Sequence, residues 1–341
     1  NAIVNEGRLA EKGLRGRSVN VVISYYLLRP LLLNFSTTIA TGAYEVHKDE
    51  QSRKLERLRR HLEDGTTDLS PHSLKVPASH YTSEAQNALE IELMFKQRPL
   101  LVALTPHIPN QGDYLTHEAI DISLLLVRDR EDKARAYINA CRHRGARLVE
   151  GKGHKASFSC PFHAWNWGLD SKIIARPNSH EGFAAADDCF DRLVELPCYE
   201  IAGLIFVLLE GEDIESKVHA LMGASLLDIE NYNISETKYI DSRTTELACN
   251  YKFFLDGFAE TYHIASLHKE TISPFYYSNS TLVDQLGEVV HLVSPRKTID
   301  KEFEKTQSEQ GAVLPYCTTE YLLAPNVLLT HQVDHIQFWT A

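Results

Sequence analysis

The stretch CRHRGARLVEGKGHKASFSCPFH, residues 141–163, constrains this chain more than any other. It places Cys141 and His143 in a C-x-H pair. After sixteen intervening residues it places Cys160 and His163 in a C-x-x-H pair. The intervening residues read as a β-hairpin, ARLVE and KASFS joined by a turn at Gly151-Lys152-Gly153, so its two ends can meet. Gly145 permits a tight turn beside the first pair, and Pro161 stiffens the backbone beside the second.

Thiolates and imidazoles gathered at one point select a transition metal. A single zinc ion would take all four side chains on one centre. A two-iron, two-sulfide cluster would take both thiolates on one iron and both imidazoles on the other. Zinc modules with this ligand set usually pair Cys with Cys and His with His. Here each loop supplies one of each, which suits two irons better. The six cysteines, Cys141, Cys160, Cys189, Cys198, Cys249 and Cys317, are too sparse in 341 residues for a disulfide framework.

The run CRHRGA…CPFHAW resembles the Rieske domain of ring-hydroxylating oxygenase alpha subunits. Respiratory Rieske proteins carry an extra cysteine near each pair. Here Arg144, Gly145 and Ala146 on one side, and Phe162, Ala164 and Trp165 on the other, occupy those places. Arg142, Arg144 and Trp165 flank the ligands and suit either a surface for an electron donor or ordinary packing.

A second constellation follows about a hundred residues later, in NYKFFLDGFAETYHIASLH, residues 250–268. Glu260 and His263 are i,i+3 and would share a helix face. His263 and His268 are five apart, about 140° of rotation on a regular helix. Both reach one metal only if the helix ends or bulges between them, as happens at functional sites. Two histidines and a carboxylate with open positions make the facial triad of non-haem Fe(II) oxygenases. The E-x-Y-H-x4-H run, with Asn250 and Lys252 upstream, is similar to the same oxygenase family.

The resemblance covers roughly residues 76–341, and its implications are specific. His263 and His268 would bind a mononuclear Fe(II). Glu260 would be the bridging acid that links a Rieske histidine of one subunit, His143 or His163, to His263 of its neighbour, with Asp256 supporting it. An NAD(P)H-dependent reductase, with or without a ferredoxin, would reduce the [2Fe–2S] cluster. O2 would then hydroxylate an organic, aromatic-type substrate. The assembly would be a homotrimer or a hetero-oligomer with a beta subunit, and cytoplasmic. In the family the third iron ligand is an Asp well over a hundred residues after the first histidine. Only 73 residues follow His268, so that ligand is expected beyond residue 341, in a protein longer than this chain. Two other functions compete: a pure electron-transfer protein, and a zinc-stabilised scaffold.

The expected fold class is α+β. Residues 1–75 form an extension of unknown role. Residues 76–211 form a leading helix, capped at Ser83, and an all-β [2Fe–2S] domain with hairpins such as that around Asp170-Ser171. Residues 212–341 form a partial helix-plus-antiparallel-sheet catalytic domain. Residues 49–64 read as a charged helix closed by Gly65. Residues 19–40 are apolar and follow Arg8, Lys12, Arg15 and Arg17. Arg29-Pro30 interrupts them, so they fit a partly buried leader helix better than a membrane span. HQVDHIQFWTA reads as one strand on which His331 and His335 share a face. A formal net charge of −11 argues against nucleic acid as a partner.

Overall fold

The computed structural model describes residues 19–27, 41–182, 190–305 and 313–341. Residues 28–40, the upstream basic residues and Cys189 lie outside the described residues. Among the described residues no helix is long and apolar enough to cross a membrane.

The expected leader helix is instead a strand, β1 (Val19–Leu27). VNVVISYYL is rich in β-branched and aromatic residues, which suit a pleated, half-buried surface. Val21, Ser24 and Tyr26 are its buried positions. The charged helix α1 spans Thr41–Asp64, and Gly65 follows it at φ +63°. Gln51, Lys54, Leu55 and Leu58 recur at helical spacing and are all buried. Leu55 and Leu58 pack against Leu282, Val293, Val313 and Cys317, and Lys54 donates to Asp228 at 2.9 Å. The N-terminal segment is therefore built into the core of the chain's second half. Helix α2 (Ser79–Thr82) precedes α3 (Glu84–Glu90), whose N-cap Ser83 accepts from the Gln86 N–H at 3.3 Å. The apolar run after α3 continues as a π-turn, Ile91–Lys96.

The all-β part follows. Its strands are β2 (Leu100–Leu104), β3 (Asp113–Ala119), β4 (Ile122–Arg128), β5 (Ala134–Ile138), β6 (Lys152–His154) and β7 (Ser157–Ser159). Then come β8 (Asn166–Gly168), β9 (Ile173–Ala175), the short helix α4 (Ser179–Gly182), β10 (Glu195–Leu196), β11 (Cys198–Ile201) and β12 (Leu204–Val207). They form three sheets, in the orders β10-β5-β4-β3-β6, β11-β12-β2 and β7-β8-β9. The hairpin around Asp170-Ser171 is β8–β9.

Residues 141–163 are not one hairpin. Residues 146–150 form no strand. β6 pairs with β3, and β7 pairs with β8. Gly151 turns at φ +73° as expected, but Lys152 and Gly153 already belong to β6. The two Cys-His loops are thus brought together by two different sheets.

The second half begins with α5 (Ile214–Met222), capped by Asp213, and α6 (Ser225–Glu230). Strand β13 (Lys238–Leu247), helices α7 (Tyr251–Phe258) and α8 (Ile264–Leu267), and strands β14 (Leu282–Leu286) and β15 (Val289–Pro295) follow. The short α9 (Asp300–Phe303) precedes β16 (Cys317–Leu323), β17 (Val327–His331) and β18 (His335–Thr340). One antiparallel sheet runs β13-β1-β18-β17-β16-β15-β14. HQVDHIQFWTA is not a single strand: residues 332–334 turn between β17 and β18. β18 is paired on both sides, by β17 and by β1. The mixture of helices and antiparallel sheets is the expected α+β class.

This large sheet has two apolar faces. On one, Tyr321, Leu329, Ile336 and Phe338 pack with Val218, Leu221, Met222, Leu226 and Ile229 of α5 and α6. Each such side chain, fully buried, contributes about 1.5–3 kcal/mol. On the other, Trp339 meets Phe254 and Phe258 of α7, with ring centroids 6.0 and 5.1 Å apart. This second face lies beneath α7, the helix that leads into the histidine site.

Candidate functional site

The first constellation is two turns of matching hydrogen-bond pattern. The Cys141 N–H donates to the Ala146 carbonyl and the Gly145 N–H to the Cys141 carbonyl, both at 2.8 Å. In the second turn the Cys160 N–H donates to the Trp165 carbonyl at 2.8 Å and the Ala164 N–H to the Cys160 carbonyl at 2.9 Å. Both turns close at a left-handed residue, Gly145 (φ +73°) and Ala164 (φ +56°). Glycine accepts that conformation without a Cβ clash, whereas alanine does not.

Cys141 and Cys160 are buried in a core with Tyr137, Phe158 and Trp167, and both are free thiols. Burial, with Cys160 alongside, pushes the Cys141 thiol up. The imidazoles lie outward of them. His143 is half-buried and His163 exposed, with ring centroids 4.6 Å apart. Burial and then the neighbouring His163 hold the pKa of His143 down, favouring the neutral ring that ligates metals. Trp165 is not a surface residue. It is buried and stacks on His143 at 4.7 Å and 8°, while the Arg176 guanidinium lies over the Trp165 ring, 4.8 Å from its centroid. Phe162, beside His163, is 61% exposed and forms the tip of the second loop.

A buried thiol pair beneath an outward imidazole pair fits a [2Fe–2S] cluster with one cysteine-ligated and one histidine-ligated iron.

The second constellation sits in a helix break. α7 starts at Asn250, whose side chain accepts from the Lys252 N–H at 3.0 Å, and ends at Phe258. Glu260 and His263 consequently do not share a helix face, as their spacing suggested. They meet in the turn between helices. Glu260 Oε1 lies 2.5 Å from His263 Nδ1, and Oε2 accepts the His263 backbone N–H at 3.1 Å. α8 is a single turn that begins after His263 and unwinds at its C-cap, His268. This irregularity brings the two rings to 5.3 Å between centroids. With Nδ1 of His263 engaged by Glu260, Nε2 is left for a metal. The pair fits two positions of a facial site, and the described residues supply no third ligand beside it. Asp256 accepts a hydrogen bond from the Tyr81 hydroxyl at 2.6 Å. The Lys252 ammonium is paired with Glu90. His331 is buried on the core face and stacks on Tyr232 at 4.3 Å, and His335 pairs with Asp334.

Sequence reasoning passed over two groups on the sheet face beneath α7. Glu320 is the only charged side chain in the strand CTTEYLL, and that isolation in an uncharged strand was the available signal. Trp339 has a buried indole N–H without a partner among the described residues.

Family models match this layout in the same order. A Rieske [2Fe-2S] domain matches residues 99–200, and the catalytic domain of the ring hydroxylating alpha subunit matches residues 230–340. The carnitine monooxygenase oxygenase subunit of Escherichia coli K12 is 31% identical over 219 residues, covering 63% of this chain and 56% of that protein. The glycine betaine monooxygenase oxygenase subunit of Pseudomonas aeruginosa PAO1 is 27% identical, covering 59% of this chain and 46% of that protein. The chain thus spans about half the length of these curated relatives. A crystal structure of a quaternary ammonium Rieske monooxygenase with an inhibitor shares the fold at TM-score 0.64 and 20% identity, covering 77% of this chain and 74% of that one. Naphthalene 1,2-dioxygenase from Rhodococcus sp. shares it at TM-score 0.56 and 16% identity, covering 86% and 77%. With both halves matched in order, this chain carries a Rieske [2Fe-2S] domain followed by the catalytic domain of a ring hydroxylating alpha subunit.

Proposed function

We propose that this chain is the electron-accepting and catalytic part of a terminal oxygenase that hydroxylates a small organic substrate with O2. The observation that carries this reading is the pairing of two distinct centres in one chain. Cys141, His143, Cys160 and His163 make an electron inlet near the surface. Glu260, His263 and His268 make a second site under a helix break. A protein that only carried electrons would need no second site.

When bound, the [2Fe–2S] cluster and the mononuclear iron supply the electron storage and oxygen chemistry. The chain's own residues bind and orient. The two loops hold thiolates away from water and present imidazoles outward. Glu260 fixes the tautomer of His263 by taking its Nδ1–H, which makes Nε2 the ligating nitrogen. In a head-to-tail assembly the same carboxylate would reach a Rieske histidine of the next subunit, giving a hydrogen-bonded link between centres. Asp256, tied to Tyr81, steadies the end of α7 from which Glu260 projects.

The partners in this reading are an NAD(P)H-dependent reductase, with or without a ferredoxin, in the cytoplasm, and further copies of the chain or a beta subunit. The more similar relatives are named for carnitine, glycine betaine and putrescine. They support a small alkylamine substrate over the aromatic one that the resemblance suggested.

The test uses the full-length protein purified aerobically. A red-brown protein, bleached by NAD(P)H plus reductase, that incorporates labelled O2 into a small amine supports the proposal. A colourless zinc protein would support the scaffold instead. A bleachable cluster with no oxygen incorporation into any amine or aromatic tested would leave only electron transfer.

A further inference from the structure

Glu320 lies on the sheet face that α7 covers through Trp339. Two chains of contact place it there. Trp339, under Phe254 and Phe258 of α7, pairs across the sheet with Leu328, and Leu328 with Leu322. Leu322 and Glu320 are two apart on β16 and point to the same side. From the other end, Thr261, two residues before His263, shares a hydrogen bond with Thr281 at 2.9 Å. Thr281 bonds Ser294 at 3.2 Å. Ser294 pairs with Thr318, again two residues from Glu320 on the same side. The segment bearing Glu260 and His263 is therefore anchored on both sides of Glu320.

The immediate surroundings of that carboxylate offer nothing to balance it. Its cross-strand neighbours are Leu292 and Thr330, both buried. Among the described residues no hydrogen bond or ion pair reaches its side chain. Arg296, just beyond β15, is committed to Gln332 at 2.5 Å and lies over the Tyr276 ring. The surrounding protein pushes the Glu320 carboxyl up to about 7, with no partner to pull it back. A half-buried carboxylate left without a partner is costly. Its natural complement is a cation, and the rings of Trp339, Phe254 and Phe258 on the same face add the aromatic wall that alkylammonium groups favour.

We infer that Glu320 is the residue that selects a positively charged, alkylammonium-bearing substrate, taking its cationic group between the carboxylate and the aromatic wall formed by Trp339. This rests on reading the covered face as the substrate site of the proposed oxygenase. It assigns the charge preference of that site to one side chain on β16.

The test measures binding, not turnover, so it stands apart from the oxygenase reading. Full-length, metal-loaded protein is titrated calorimetrically at pH 8 with choline and with its uncharged carbon isostere, dimethylbutanol. Wild type is expected to bind choline at least about tenfold more tightly, the scale of one charge-assisted contact. Glu320→Gln is expected to lose that preference while binding dimethylbutanol within about twofold of wild type. Wild type that binds the two equally, or binds neither, would overturn the inference without needing a variant. So would a Glu320→Gln protein that keeps the preference for choline. Failure of the oxygenase reading would show separately, as absent incorporation of labelled O2 with charge-selective binding intact.

Discussion

The Glu260 carboxylate holds His263 twice, through Nδ1 at 2.5 Å and through the backbone N–H at 3.1 Å. One contact fixes the tautomer of the ring and the other fixes where the ring begins. Glu260→Gln keeps the shape and a weaker acceptor but loses the charge. The visible spectrum of the [2Fe–2S] domain, set by residues on other sheets, should be unchanged. Oxygen incorporation should fall by about 10- to 100-fold, the usual cost of removing a partner that orients a metal-ligating imidazole. Turnover near wild type would sink the role given to Glu260.

His263 and His268 owe their proximity to a single helical turn, α8, that starts after one and unwinds at the other. Each ring should be needed for mononuclear iron and neither for the cluster. Metal analysis of His268→Ala should show the loss of one iron per chain, with the cluster's two irons and its colour retained. Retention of all iron would place the mononuclear site elsewhere.

The two Cys-His turns close at Gly145 and Ala164, both in the left-handed region. A Cβ there costs roughly 1–2 kcal/mol. Gly145→Ala should therefore lower the melting temperature and cluster occupancy, although nothing lies within 4 Å of the added carbon. Ala164→Gly should do the reverse, raising stability by up to about 1 kcal/mol once the entropy of the unfolded glycine is counted. Thermal melts of the two variants check both signs, and equal effects in the same direction would contradict the argument.

Much of this site was legible because metal ligation depends on side-chain type and spacing, which a sequence displays. Cys141, His143, Cys160 and His163 stand out in the sequence as candidate ligands of a two-iron centre, and Glu260, His263 and His268 as candidates for a second metal site. What the sequence hid was how distant segments pair. ARLVE and KASFS look like partners, yet β6 and β7 hydrogen-bond to β3 and β8. The apolar run at 19–27 carries strand-forming residues whose partners, Leu247 and Thr340 among them, lie more than two hundred residues away. The i,i+3 spacing of Glu260 and His263 is equally satisfied by a turn, and the break after Phe258 chose the turn. Glu320 was visible as a charge in CTTEYLL, but its lack of a partner is a property of three neighbouring strands.

That lack of a partner has a cost that pH should expose. The folded-state pKa of Glu320, about 7, lies above its ordinary 4.5. Between those values the folded chain holds the proton more tightly than the unfolded chain. Stability conferred by the protonated acid is thus full at the acidic end and declines as pH rises to about 7, by ~3 kcal/mol in all. Glu320→Gln cannot ionise and escapes this loss. Relative to wild type, the variant should gain stability steadily from pH 5 to pH 7 and stay more stable above it, as read by chemical denaturation of both proteins across that range without added amine. Saturating choline should narrow the gap by stabilising wild type alone. A difference between the two proteins that does not change with pH would show that the carboxyl titrates normally and is not enclosed on the covered face.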